Sequence, residues 1–134
     1  MILYVDGSWK TSSPNYSGWG FILVDKNEII YEKSGYIECY SRQIDGELYA
    51  VLEGLKYIKS IGLKNIEIIY DYIGIEKWAK NEWKAKSLVA LEYIERLKEF
   101  SNINIKFTKI KSHSGLCEWN DYVDNLAKNS LKKI

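Results

Sequence analysis

Residues 65–71 read Asn65-Ile66-Glu67-Ile68-Ile69-Tyr70-Asp71. This short, mostly apolar run stops on an acid, as a buried strand does when its end meets solvent. Upstream, Gly62 closes a helix over residues 44–60, where Ile44, Leu48, Val51, Leu55 and Ile58 recur at helical spacing. A buried strand reached through a helix belongs to a sheet with parallel pairing. Further toward the N-terminus, residues 18–24 and 29–37 read as a hairpin turned by Asp25-Lys26-Asn27, a three-residue turn that asks Asn27 for positive φ. Residues 2–5 precede it as a short buried strand. Toward the C-terminus, residues 73–81 and 87–99 read as helices, the second with Leu88, Leu91, Ile94 and Leu97 inward. Residues 103–110 alternate Ile103, Ile105 and Phe107 with polar neighbours and read as a strand. Residues 118–132 read as a last helix with Trp119, Tyr122, Val123, Leu126 and Ala127 inward. The order βββαβ, one or two helices, then βα predicts a single α/β domain over residues 1–134, a mixed sheet flanked by helices.

Composition excludes several classes. At 46% hydrophobic residues the chain can bury a core and is not disordered. No apolar run nears the roughly 18 residues that span a bilayer. The opening Met1-Ile2-Leu3-Tyr4-Val5 meets Asp6 without a basic leader, so it reads as a strand and not a signal peptide, and a cytoplasmic location follows. Cys39 and Cys117 fit no metal-spacing motif and read as free thiols. Nothing suggests more than a monomer. A net charge of +1 looks weak for a nucleic-acid binder, but it sums 19 basic and 18 acidic residues. With four acids gathered in one metal site, 14 remain against the 19 bases, a moderately basic surface around an acidic hole.

Asp6 follows the first strand and Asp71 the fourth, and ligands of open α/β sheets bind beyond the carboxyl ends of strands. Either acid alone is ordinarily just the start of a turn. As parallel neighbours they would repel one another unless a cation neutralised them. Glu47 lies about 60° from the apolar stripe of its helix, at the edge of the buried face, whereas Glu53 lies about 180° away and is expected in solvent. An acid in a first helical turn can equally be a dipole partner. In the last helix Asp121 lies near 200° by the same count and Asp124 near 140°, roughly one turn beyond Asn120, so Asp124 is the better candidate for a shared site. His113 sits in the polar loop Lys111-Ser112-His113-Ser114-Gly115, where it is either simply exposed or placed to carry a proton near neutral pH. In residues 77–86 lysines interleave with Trp78 and Trp83. Trp78 reads as core. Trp83 reads either as core beside a solvated lysine face or as a place for a nucleic-acid strand, with Lys80, Lys84 and Lys86 near its phosphates.

Tyr4-Val5-Asp6-Gly7-Ser8, Gly46-Glu47-Leu48, Tyr70-Asp71 and His113-Ser114-Gly115 leading to Asn120 and Asp124 together resemble ribonuclease H of type 1, in order and spacing and over nearly the whole chain. The resemblance implies the ribonuclease H-like fold: a five-stranded mixed sheet, three antiparallel strands and then two parallel to the first. It implies that Asp6, Glu47, Asp71 and Asp124 form a carboxylate quartet for two Mg²⁺ ions, with Mn²⁺ as the alternative. Asp6 would bridge the ions, Glu47 and Asp71 would share one, and Asp124 would hold the other. His113 would assist water activation or product release. Asp71-Tyr72-Ile73-Gly74-Ile75-Glu76-Lys77-Trp78, with Glu82-Trp83-Lys84-Ala85, is similar to one branch of the family whose members often carry a hybrid-binding domain in front. With a first strand at Ile2, no such domain is expected here. Two features depart from the family: Arg42-Gln43-Ile44 stands where a Thr-Asn-Asn trio is common, and residues 78–86 are shorter than the basic protrusion of some members. Hybrid affinity is therefore expected to be modest.

The implied activity is hydrolysis of the RNA strand of RNA–DNA hybrids by two metal ions. The RNA strand would be read by its 2′-hydroxyls, with Gly7, Ser8, Trp9, Gln43 and Asn120 as candidates. The DNA strand would meet Trp83 and its lysines. Contacts to sugar and phosphate imply little base specificity. The rival readings are a catalytically silent hybrid-binding module, and an exonuclease or junction resolvase of the same fold.

Overall fold

The computed structural model describes residues 1–11, 15–110 and 118–134. The expected loop histidine His113, with Ser114 and Gly115, and Cys117 lie outside them. The elements run β1 (Ile2–Lys10), β2 (Tyr16–Asp25), β3 (Glu28–Glu38), α1 (Gln43–Ser60), β4 (Asn65–Tyr70), α2 (Gly74–Ala79), α3 (Leu88–Leu97), β5 (Asn104–Lys109) and α4 (Glu118–Leu131). The sheet order is β3-β2-β1-β4-β5. β1, β2 and β3 pair antiparallel, while β4 lies parallel to β1 and β5 parallel to β4. This is the expected mixed sheet.

Side-chain alternation along β1 divides the core. Leu3 and Val5 face α1, where Phe21, Leu23, Leu48, Val51, Leu55, Ile58 and Ile68 close the larger cluster. Tyr4 faces the other way and joins Ile22, Val24 and Val123 under α4. Both faces of the sheet are covered, so the central strands are apolar on both sides. α1 ends as expected at Gly62, whose φ of 76° lets its N–H reach the Lys59 carbonyl while the Leu63 N–H reaches Ile58.

Several expectations give way. β1 extends to Lys10, so Asp6 lies inside the strand and not after it. The hairpin turn has two residues, Lys26 and Asn27, both at positive φ, because Asp25 pairs with Glu28. Two positive φ values match the strand twist, and an irregularity at Leu23 and Val24 adjusts the register. In α3 the buried residues are Ala90 and Tyr93, whereas Leu88 and Leu91 are 74% and 52% exposed. The bulky Tyr93 takes the core position and donates its hydroxyl to the Ile75 carbonyl at 2.8 Å, which rotates the leucines outward. Tyr122 also faces solvent, its hydroxyl donating to Glu32 at 2.5 Å. Glu53 is not solvated: its side chain is 10% exposed and lies 3.9 Å from Lys33 of β3.

Candidate active site

The sheet carries a notch where the acids meet. Parallel pairing of β1 with β4 stops at Tyr4 and Ile69, but antiparallel pairing with β2 continues to Lys10. Asp6 is therefore the first β1 side chain on its face beyond the last rung to β4. Asp71 follows directly after β4 and opens into the same gap.

Glu47 reaches the gap from α1. That helix is seated by two glycines: a Cβ on Gly7 would collide with the Glu47 nitrogen, and one on Gly46 with the Gly18 carbonyl. With no side chains between them, the first turn of α1 lies directly on β1 and β2. Arg42 heads the helix at φ 57°, a strained backbone for a non-glycine residue, with its guanidinium 5.2 Å above the Trp9 ring. Asp45 is buried too, but it accepts the Tyr40 and Ser41 N–H groups at 3.0 and 2.8 Å and so fixes the loop before the helix.

One carboxylate oxygen each from Asp6, Glu47 and Asp71 lie within 4.8 Å of one another. Asp6 and Glu47 are buried, at 3% and 4% exposure. Asp6 accepts the Gly7 N–H at 2.9 Å, while Glu47 Oε2 is buried with no hydrogen-bond partner. Burial, reinforced by the Asp71 charge, pushes the Asp6 carboxyl up to about 8. Burial, with the charges of Asp6 and Asp71, also raises Glu47 well above the usual carboxylate range. Asp124 of α4 is near enough to add to the Asp6 shift, and its other contact is Lys128 at 2.8 Å. All four acids line one pocket with Gly7, Gln43 and Tyr72. Clustered carboxylates with an orphaned buried oxygen suit a hard dication, which takes oxygen ligands and removes the repulsion.

The RNase H family model matches residues 1–132. The chain belongs to the RNase H family. Its curated relatives include ribonuclease H of Caldanaerobacter subterraneus subsp. tengcongensis, 32% identical over 98% of this chain and 90% of the relative. Ribonuclease H of Ehrlichia canis is 30% identical over 99% of this chain and 95% of the relative. RNase H1 of Halobacterium salinarum has the same fold at a TM-score of 0.82, with 20% identity over 99% of this chain and 98% of the other. LC11-RNase H1, solved in complex with an RNA/DNA hybrid, matches at a TM-score of 0.81, with 21% identity over 98% of this chain and 96% of the other.

The remaining RNase H candidates divide. Gln43 and Gly7 line the acid pocket. Ser8 and Trp9 lie further along β1, where the Ser8 carbonyl accepts the Ser17 hydroxyl at 2.9 Å and Trp9 lies under Arg42. Asn120 is buried in α4 at 6% exposure and is not among that pocket's lining residues. Trp83, 38% exposed, sits edge-on to Trp78 at 5.6 Å and shares an open groove with Lys84 and Lys86. Lys80 is tied to Glu76 at 2.7 Å. Tyr72, which sequence reasoning misses, also lines the acid pocket; its place directly after Asp71 is the signal that could have found it.

No helix among the described residues is long and apolar enough to cross a membrane.

Proposed function

We propose that this chain is an endonuclease that hydrolyses the RNA strand of RNA–DNA hybrids with little sequence specificity, using Asp6, Glu47, Asp71 and Asp124 to hold two Mg²⁺ ions. The observation that carries the reading is the convergence of Asp6, Glu47 and Asp71 within 4.8 Å in a pocket that also admits Asp124. When bound, divalent ions supply the Lewis acidity and positive charge that hydrolysis of a phosphodiester demands.

The residues of the chain set up that chemistry. Glu47 Oε2, buried and unpartnered, offers an oxygen whose desolvation is already part of the folded state. The Gly7 N–H keeps one Asp6 oxygen in place at the pocket. Gln43 at the pocket wall presents an uncharged amide to the minor-groove edge of the hybrid. Trp83, Lys84 and Lys86, in the connection between α2 and α3, offer an aromatic face and two cations to the DNA strand. His113 assists water activation or product release. The chain acts as a single domain, as a cytoplasmic monomer.

The test is cleavage of an end-labelled RNA–DNA hybrid beside matched single-stranded RNA, single-stranded DNA and duplex DNA, each with Mg²⁺. Internal cuts in the RNA of the hybrid alone are expected. Trimming from an end, or equal cutting of duplex DNA, would transfer the fold to another nuclease activity.

A further inference from the structure

The acid pocket has seven lining residues among those described, and their chemistry is uneven. Four are carboxylates and Gly7 has no side chain, which leaves Gln43 and Tyr72 as the neutral hydrogen-bonding side chains on its wall. They come from separate elements: Gln43 opens α1, and Tyr72 lies in the turn between β4 and α2.

Tyr72 is built into its position. A Cβ on Gly74 would stand 2.5 Å from Tyr72 Cε2, 2.8 Å from its Cζ and 2.8 Å from Trp78 Cζ3. The tyrosine ring thus lies against the bare α-carbon of Gly74, with Trp78 as its second neighbour, ring centroids 6.0 Å apart at 55°. This explains why the stretch Asp71-Tyr72-Ile73-Gly74-Ile75-Glu76-Lys77-Trp78 couples a glycine and a tryptophan to the tyrosine. Any larger residue at 74 displaces the ring. α2 is in turn fixed from below, since Tyr70 donates its hydroxyl to Glu76 at 2.5 Å and Tyr93 donates to the Ile75 carbonyl at 2.8 Å. A ring held this way lines the pocket with little rotamer freedom left to lose.

We propose that Tyr72 is a specificity-determining residue of the cleavage reaction, its hydroxyl hydrogen-bonding the 2′-hydroxyl of a ribose beside the cleaved bond. The inference rests on the hybrid-cleavage reading above. The carboxylates are suited to cations and, through them, to the phosphate. An uncharged wall group beside them meets the sugar. A phenol both donates and accepts, as a 2′-hydroxyl does. A site that pairs a substrate hydroxyl discriminates strongly against the analogue that lacks it, because the protein group is left unpaired. Tyr72 would thus help to favour ribose over deoxyribose at the point of cutting.

The experiment compares wild type with Tyr72→Phe, which keeps the ring packed on Gly74 and Trp78. Single-turnover cleavage is measured on an all-ribose hybrid strand and on strands carrying one 2′-deoxynucleotide, moved step by step through the cut site. Affinity for the hybrid is measured separately in EDTA. Tyr72→Phe is expected to cut the all-ribose strand about tenfold more slowly, the loss of one hydrogen bond. Its affinity in EDTA and its melting temperature are expected to stay close to wild type. At one deoxy position the wild-type rate should fall while Tyr72→Phe loses less than about twofold more, because the same bond is already gone. Wild-type rates in the variant, or losses that multiply at every position, would overturn the inference and leave the hybrid-cleavage reading standing. A wild type that cuts no hybrid overturns both.

Discussion

The Ser17 hydroxyl accepts the Gly46 N–H at 2.8 Å and donates to the Ser8 carbonyl at 2.9 Å, so one buried oxygen joins β2, β1 and the first turn of α1. Glu47 is the next residue along that turn. The bond between Ser17 and Gly46 is thus the nearest fixed point from which the pocket acid is aimed.

Ser17→Ala removes that fixed point and strands the Gly46 N–H in the interior. A loss of about 1–3 kcal/mol is expected in chemical denaturation. Gly46→Ala drives a methyl group into the Gly18 carbonyl and Ser17 Oγ, the latter at 2.5 Å, and should cost at least as much. Both variants should cut hybrid more slowly than their stability loss alone explains, since Glu47 moves with the helix. Full wild-type kcat in folded Gly46→Ala would show that the helix seat has no part in the chemistry.

Metal-free stability should depend on pH through Asp6. Its carboxyl is raised from an ordinary 3.8 to about 8, by burial first and then by the Asp71 charge. Between those values the folded chain keeps a proton that the unfolded chain has released. Stability is therefore greatest below the window and falls as pH rises through it. Asp6→Asn should make the slope shallower, leaving the share of the equally buried Glu47, and should stabilise the EDTA-treated protein at pH 7 by on the order of 2 kcal/mol, while abolishing cleavage. Melting curves in EDTA from pH 5 to 8.5 check this. A flat wild-type profile would contradict the buried-acid account.

The fold was legible because it is written in periodicity: the stripe from Leu48 to Ile58, the run from Ile66 to Tyr70, and Gly62 between them. The acids were legible because Asp71 ends a strand and Glu47 shares the buried face of its helix. Errors arose where periodicity counts apolar residues without their size. Leu88 and Leu91 look like a core stripe, yet Tyr93 is larger, has a carbonyl to bond, and takes the interior. Asp6 looked like the end of β1 because the chain turns polar there, but the strand continues on its β2 side alone. Asp45 and Glu47 are equally buried, and only their contacts separate a loop brace from a pocket acid. Tyr72 was missed although it follows Asp71 directly, because the packing that holds its ring depends on Gly74 and Trp78 together.

The groove at Trp83 should contribute affinity more than rate. Trp83→Ala is expected to weaken hybrid binding by about 1–2 kcal/mol, the worth of the apolar ring area that a sugar of the DNA strand would cover. Replacing Lys84 and Lys86 by Ala should lower the salt dependence, reducing the slope of log K against log salt by about one for each phosphate no longer neutralised. Titrations at several salt concentrations read both effects. An unchanged slope would remove the lysines from the interface.

Lys128 lies 2.8 Å from Asp124 and competes with any cation for it. Lys128→Met should lower the Mg²⁺ concentration needed for half-maximal thermal stabilisation by about two- to fivefold, the range that a partly exposed ion pair allows. A rise in that concentration would mean that Lys128 holds Asp124 ready for the metal.

The central claim is that the acid pocket cuts RNA in a hybrid because it holds metal. Mg²⁺-dependent cleavage of an end-labelled RNA–DNA hybrid by wild type and by Asp71→Asn tests it most directly. The account predicts cutting of the RNA strand by the wild type, abolished by EDTA, and at least a hundredfold loss in Asp71→Asn with hybrid binding retained, as about 10²-fold or more follows from losing a metal-positioning group. Equal cutting by both proteins, or binding by both without any cutting, would contradict it.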